Sequence, residues 1–238
     1  MLIDELLTYL FDGQPHFLVE PMTTWLTSSR RFTSFVNSHH TKIRKKLRVA
    51  QGPENLRDLQ LELETAYLLL REKALSVVYE PHHPELGRSP DFAVTFTTSL
   101  TFMVEVTRLQ STNVTPGLPL VHDRFTDMLC SKLGQLLPQR SNLLLVGLES
   151  LPMTHQDIHT TMLRIQKRAE ANDPTLVQRR GFRDRADFFQ HYQRLSAILV
   201  RGRTPLQAGD PVVIWNNPQA KYSLPVKVRT VLSRSHML

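Results

Sequence analysis

The sequence is short of three features that would each have placed it in a particular class of protein. It has one cysteine, Cys130, in 238 residues, so an internal disulfide is excluded and a reducing compartment is expected. It has no apolar run approaching the ~18 residues of a membrane span. It has no internal repeat and no low-complexity tract. These absences predict a globular protein outside the membrane, in which Cys130 serves as a small apolar residue on a helix.

Acidic residues are also in deficit. There are 22 Asp and Glu against 29 Lys and Arg, which gives a formal net charge of +7 and a pI near 9.8. Such a balance favours a polyanionic partner, most simply nucleic acid, because neutralising phosphates releases counterions. The first residues, MLIDELLTYLF, carry acids where a signal peptide needs bases, so a cytoplasmic location is expected.

Hydrophobic periodicity predicts the order helix, strand, hairpin, helix, strand, helix, strand. This order indicates an α/β fold with a mixed sheet flanked by helices. Residues 1–54 are predicted to be an N-terminal helical extension with a break near Pro21, and residues 55–238 to be the α/β domain. In the extension, Phe32 and Phe35 lie on the apolar stripe of a basic helix, whose charged face is either solvated or in contact with phosphates.

The stretch SPDFAVTFTTSLTFMVEVTR, residues 89–108, predicts a half-buried hairpin with one acid on each strand. If the turn is centred on Thr98, Asp91 falls directly opposite Glu105. Directly opposed Cβ atoms are only ~4.5–5.5 Å apart, where like charges repel. A divalent cation would remove the conflict, because Mg²⁺ is commonly held by one or two carboxylates together with phosphate oxygens. A shift of the register by one residue would separate the two acids.

Three short motifs occur in order along this part of the chain. A helix containing ELETAYLL precedes Pro-Asp at 90–91 and Glu-Val-Thr at 105–107. In this order the chain resembles the PD-(D/E)xK restriction-endonuclease-like nuclease superfamily, which has an acid in the first core helix, an Asp at the start of the second core strand and an acid-x-Lys on the third. The resemblance covers residues 55–150. It implies a restriction-endonuclease-like core and metal-dependent hydrolysis of phosphodiesters, with DNA favoured.

The resemblance also implies a set of site residues. The helix acid would be Glu62, with Glu64 as the alternative. Asp91 and Glu105 would be ligands of Mg²⁺ or Mn²⁺, together with the backbone carbonyl of Val106.

One position departs from the superfamily pattern. Thr107 stands where the catalytic lysine is expected, and a threonine cannot supply a cation to the developing phosphate charge. Arg108 would point to the opposite strand face, whereas Lys132 on the next helix could reach the site from elsewhere. Two functions therefore stay open: a metal-dependent nuclease, which could act as a homodimer, and an inactive nuclease-fold protein that binds nucleic acid or a protein partner.

Overall fold

The structure is a computed structural model. It describes residues 1–82, 89–109, 118–148, 153–202 and 212–237, excluding the side chains of 118–121 and 235–237. No helix in these ranges is both long enough and apolar enough to cross a bilayer.

The described chain forms a six-stranded sheet with helices on both faces. The strands are β1 (Leu75–Tyr79), β2 (Phe92–Phe96), β3 (Leu100–Leu109), β4 (Ser141–Leu148), β5 (Leu195–Gly202) and β6 (Val213–Asn216). The helices are α1 (Ile3–Phe11), α2 (Val19–Ser28), α3 (Arg30–Val49), α4 (Pro53–Arg71), α5 (Leu118–Leu133), α6 (His155–Glu170), α7 (Arg185–Tyr192) and α8 (Val226–Met237). A short 3-10 turn spans Gln178–Arg180.

The strands lie side by side in chain order, from β1 to β6. Strands β1 to β3 form an antiparallel meander, β3 to β5 are parallel, and β6 runs antiparallel to β5. The predicted α/β architecture with a mixed sheet is therefore confirmed. β4 contains the near-continuous apolar run NLLLVGL, and seven of its eight residues are buried, as expected of a central strand covered on both faces.

Alternate residues of the central strands β4 and β5 enter two hydrophobic cores. One core lies beneath α1 to α4 and α8 and includes Phe102 and Val104 of β3. The other lies beneath α5 to α7 and includes Val146 of β4. Cys130 is buried in this second core as predicted, and its burial raises the pKa of the thiol to about 12.

The N-terminal helices differ from the prediction at Pro21. Helix α2 runs through this residue, from Val19 to Ser28. The helical structure is interrupted before and after α2 instead. Pro21 is tolerated because it lies in the first helical turn, where backbone N–H groups have no partner within the helix. Phe32 and Phe35 of α3 are buried as predicted, so α3 packs its apolar stripe on the body of the protein.

Helix α4 positions the candidate site. It begins at Pro53 after Gly52, an arrangement that suits the first helical position because proline has no N–H to leave unpaired. Every residue from Leu59 to Leu70 is buried or half-buried, since α4 lies between the N-terminal helices and the sheet. The acids within this stretch are therefore held partly out of water, close to the strands.

Candidate active site

The hairpin has the predicted register. Its turn comprises residues 97–99, and the pairing of β2 with β3 ends at Phe92 opposite Val104. Asp91 lies one residue before Phe92 and Glu105 one residue after Val104, so the two acids occupy the next opposed positions. Since β3 continues to Leu109, the acids lie at the point where β3 extends beyond the start of β2.

The backbone of Val106 closes one side of this acid pair. Its N–H donates to Oδ2 of Asp91 across 2.7 Å. Residues in an extended strand direct their N–H and C=O to the same side, so the Val106 carbonyl also faces the Asp91 side. Glu80 fixes the neighbouring backbone, because its N–H donates to the carbonyl oxygen of Asp91 at 2.8 Å.

Helix α4 contributes Glu62, whose carboxylate lies near Asp91. Lys46 of α3 donates to Oε1 of Glu62 at 2.6 Å and lies 2.5 Å from Oε1 of Glu80, and the Tyr79 hydroxyl donates to the same Glu62 oxygen. Burial and the nearby Glu62 carboxylate raise the pKa of Tyr79. Burial acts to lower the pKa of Lys46, but Glu62 and Glu80 raise it above its ordinary value. Glu62 is thus held in place by a charged lysine and a neutral phenol.

The alternative helix acid, Glu64, faces elsewhere. Its Oε1 accepts from Nη2 of Arg201 on β5 at 2.8 Å, away from the acid pair. Of the two acids that the sequence leaves open, the structure brings Glu62 to Asp91 and Glu105.

Lys132 supplies a cation beside the acid pair. Its Nζ donates to Oε1 of Glu105 at 2.7 Å. Thr107 lies two residues after Glu105 on the same strand face and lines, with Lys132, Glu62 and Val106, a cleft of about 330 Å³. Arg108 points to the opposite strand face as predicted, and its Nε donates to Oδ1 of Asp58 at 2.8 Å. Both residues also line the cleft, on the side of α4.

The electrostatics of the acid pair beside this cleft centre on Asp91. Burial, and then the carboxylates of Glu105 and Glu62, raise the pKa of Asp91 to about 7, although the Val106 N–H and Lys132 act in the opposite direction. Three carboxylates that share a partly desolvated site repel each other. The site therefore favours either a proton or an additional cation at Asp91.

The donor set of this site suits a hard divalent cation held by two carboxylates. Asp91, Glu105 and the Val106 carbonyl all present oxygen, and Mg²⁺ needs only one or two carboxylates when substrate phosphate and water complete its shell. Within the described parts of the chain, no cluster of three or more His, Cys, Asp and Glu side chains forms a metal site. Glu62 would therefore act beside such a cation rather than as a third ligand.

The raised pKa of Asp91 predicts a pH dependence of stability. Folded Asp91 retains its proton up to about pH 7, whereas unfolded Asp releases it near pH ~4. Without metal, the free energy of unfolding should therefore fall as the pH rises from about 4 to about 7 and stay low above that. Asp91→Asn removes the titrating carboxyl group but keeps an oxygen that can accept a hydrogen bond from the Val106 N–H. Urea titrations in EDTA should find the variant more stable than the wild type at about pH 8. The difference in free energy of unfolding between the two proteins should be smaller at about pH 5.

Asp173 provides the matched control. The Thr175 hydroxyl and the Arg168 guanidinium lower the pKa of Asp173 to about 2, so its contribution to stability is complete above the unfolded pKa and is lost only in acid. The difference in free energy of unfolding between the wild type and Asp173→Asn should therefore be the same at about pH 5 and at about pH 8. An equal stability difference between wild type and Asp91→Asn at both pH values would show that the pKa of Asp91 is not perturbed.

Two residues of the site, Lys46 and Tyr79, are not predicted from the sequence. Each contacts Glu62 from an element adjacent to α4 in the chain, Lys46 from α3 and Tyr79 from β1. The one feature of the sequence that points to Lys46 is the basic face of α3. Several basic residues on this face form ion pairs within the protein. Arg44 and Arg48, for example, both pair with Asp12.

No protein-family model, curated protein or solved structure matches the chain. What the protein does must therefore be inferred from the chemistry of its own residues.

Proposed function

We propose that the protein is a metal-dependent nuclease that hydrolyses phosphodiester bonds, with DNA as the favoured substrate. The observation that carries the proposal is the contact between Lys132 and Glu105, 2.7 Å long, beside Asp91 and Glu62. A cation that reaches the acid pair from α5 takes the place left open by Thr107. The site then contains both the carboxylates and the positive charge that phosphoryl chemistry requires.

The order of elements around the site supports the same proposal. Helix α4 carries an acid, β2 begins directly after Pro-Asp, β3 carries Glu105, and α5 leads to the parallel strand β4. The PD-(D/E)xK superfamily places its acids on the same succession of elements. We therefore assign this part of the chain to a restriction-endonuclease-like core as part of the proposal, with α1 to α3 packed against it.

Each side chain has a distinct role in the proposed reaction. Asp91, Glu105 and the Val106 carbonyl would hold Mg²⁺ or Mn²⁺. When bound, the ion would polarise the phosphate and lower the pKa of a water molecule. Lys132 donates to a phosphate oxygen and stabilises the negative charge that develops there. Glu62, fixed by Lys46 and Tyr79, accepts a hydrogen bond from the attacking water and orients it.

The proposal is tested with a panel of substrates. Purified protein is incubated with supercoiled plasmid, single-stranded DNA, branched DNA and RNA, each in Mg²⁺, Mn²⁺ or EDTA. Cleavage in the presence of metal and none in EDTA is the expected result. A folded protein that cuts none of the four substrates with either metal would refute the nuclease proposal.

One observation favours the second candidate, a nuclease-like scaffold without turnover. The ammonium groups of Lys132 and Lys46 already neutralise Glu105 and Glu62, so these acids are satisfied within the protein. A scaffold of this kind would bind nucleic acid through its positive charge while cutting none. Binding in EDTA that is not followed by cleavage in metal would identify it.

A further inference from the structure

A second cleft lies beside the candidate active site. It has a volume of about 510 Å³ and shares Leu61 and Arg108 with the first cleft. A volume of several hundred Å³ suits a small ligand or part of a larger one. The second cleft lies near the carboxyl ends of the parallel strands β3, β4 and β5, where open α/β sheets commonly bind ligands.

Three residues from adjacent strands form the floor of this second cleft. Arg108 pairs in register with Gly147, and Gly147 pairs with Arg201, so a glycine lies between two arginines. A Cβ atom on Gly147 would come within 2.7 Å of Cδ2 of Leu61. The glycine thus allows α4 to lie close to the sheet, with an arginine on either side of the contact.

The arginines of the cleft are already matched with carboxylates. Arg108 contacts Asp58 and Glu54, Arg57 contacts Glu54 at 3.1 Å, and Arg201 contacts Glu64 at 2.8 Å. A phosphate group would need uncompensated positive charge, and these ion pairs leave little of it. The second cleft therefore suits an uncharged ligand with hydrogen-bonding groups better than it suits an anion.

One buried donor of a residue that lines the cleft lacks an acceptor. Arg201 is 4% exposed, and its Nη1 is buried with no hydrogen-bond partner among the described residues. An unsatisfied buried donor is costly, so a turn of the guanidinium toward the cleft that brought it to an oxygen or ring nitrogen of a ligand would stabilise this group. Gln60 and Thr24 add polar groups to the same lining.

Aromatic side chains complete the lining. Phe17 is 49% exposed and stacks on His16 with ring centroids 5.0 Å apart. Trp25 also lines the cleft and stacks on Tyr67. A large aromatic ring that is left half exposed in the lining of the same cleft as Arg201 offers a surface for stacking a planar ring.

We infer that the second cleft binds a nucleobase, splayed out of a single strand next to the phosphate that lies in the first cleft. The base stacks on Phe17, and its carbonyl or ring nitrogen accepts a hydrogen bond from Arg201. This inference rests on the proposed function, because it takes the ligand to be the strand that the neighbouring site would cut. It specifies the substrate as nucleic acid with at least one unpaired base.

The test is a binding measurement in EDTA, so it does not depend on cleavage. Two fluorescently labelled single strands of equal length are compared by anisotropy, one with all its bases and one abasic throughout. Both carry the same phosphates, and the intact strand should bind more tightly. Phe17→Ala should weaken binding of the intact strand by about tenfold, as expected for the loss of one stacked base, and should leave binding of the abasic strand unchanged.

Further variants locate the binding site. Arg201→Gln combined with Glu64→Gln removes both partners of the buried pair and should also reduce the preference for the intact strand. If this double variant does not fold, Phe17→Ala alone decides the question. The control is Tyr222→Ala, which removes another exposed aromatic ring near Ser196 at the opposite end of β5 and should change nothing.

Two outcomes would overturn the inference. Equal affinity of the wild type for the intact and abasic strands would mean that no base is bound. A preference for the intact strand that survives Phe17→Ala would place the base elsewhere. Failure of the nuclease proposal gives a different pattern, since base-dependent binding would then persist without any cleavage in metal.

Discussion

Asp91→Asn and Glu105→Gln should each lower the rate of metal-dependent cleavage by at least about 10²–10³-fold, the usual cost of losing one electrostatic catalytic group. Both changes keep the size of the side chain and remove one negative charge from the acid pair. In the first variant the new amide oxygen can still accept a hydrogen bond from the Val106 N–H, so the backbone geometry at the site is retained. The loss should therefore reflect weaker metal binding.

A measurement of stability distinguishes a loss of catalysis in Asp91→Asn from a loss of folding. Asp91 carries a pKa raised by burial and by two nearby carboxylates, so its removal should stabilise the metal-free protein above about pH 7. The same variant should thus be more stable and less active. Mn²⁺ should raise the melting temperature of the wild type, because an ion that binds only the folded state stabilises it, and it should not raise that of Asp91→Asn.

Glu170→Gln serves as the control for charge removal, because Glu170 is an exposed acid at the end of α6. It should cut as the wild type does. Cleavage by Asp91→Asn within about tenfold of the wild-type rate would mean that the acid pair does not hold the metal.

The acid pair could be predicted from the sequence because the hairpin is a local structure. Alternating apolar residues fix which side chains share a face, and a turn of three residues fixes which positions are opposed. Counting outward from Thr98 therefore places Asp91 opposite Glu105 before any coordinates are known, and the observed register agrees.

The choice between Glu62 and Glu64 could not be made in this way. Helix α4 is buried around most of its circumference between Leu59 and Leu70, so hydrophobic periodicity does not indicate which polar residue faces which layer. The choice depends on partners in other elements, Lys46 of α3 for Glu62 and Arg201 of β5 for Glu64. Only the packing of α3 and β5 against α4 brings these partners into place.

Two other features of the fold could not be predicted from local sequence patterns, because they also depend on packing between separate elements. Helix α8 follows β6 and packs on α4, and its Val228 and Leu232 enter the same hydrophobic core. Its short apolar pattern does not by itself predict a helix. The row of Arg108, Gly147 and Arg201 joins three strands that are separated by whole helices. Such a row depends on the register of parallel strands, which no turn connects directly.

Lys132→Met should lower the cleavage rate by about 10²–10³-fold, and Thr107→Lys should restore part of the activity in that background. Thr107 lies two residues beyond Glu105 on the same face of β3, and it lines the same cleft as Lys132. A lysine introduced at this position would bring its ammonium group to the cleft from the strand, as in the PD-(D/E)xK pattern, instead of from α5. Single-turnover cleavage by Lys132→Met and by the double variant measures the rescue.

Rescue distinguishes a cation needed for the reaction from an ion pair needed only for folding. If Lys132 merely neutralised Glu105, its loss would lower the stability of the protein. Thermal melts would then show lower melting temperatures for both Lys132→Met and the double variant, and the double variant would cut no faster than Lys132→Met. Lys45→Met, which removes an exposed lysine of α3, should leave cleavage unchanged. Wild-type rates in Lys132→Met would exclude the catalytic role, and a folded double variant no faster than Lys132→Met would show that a cation from β3 does not substitute for one from α5.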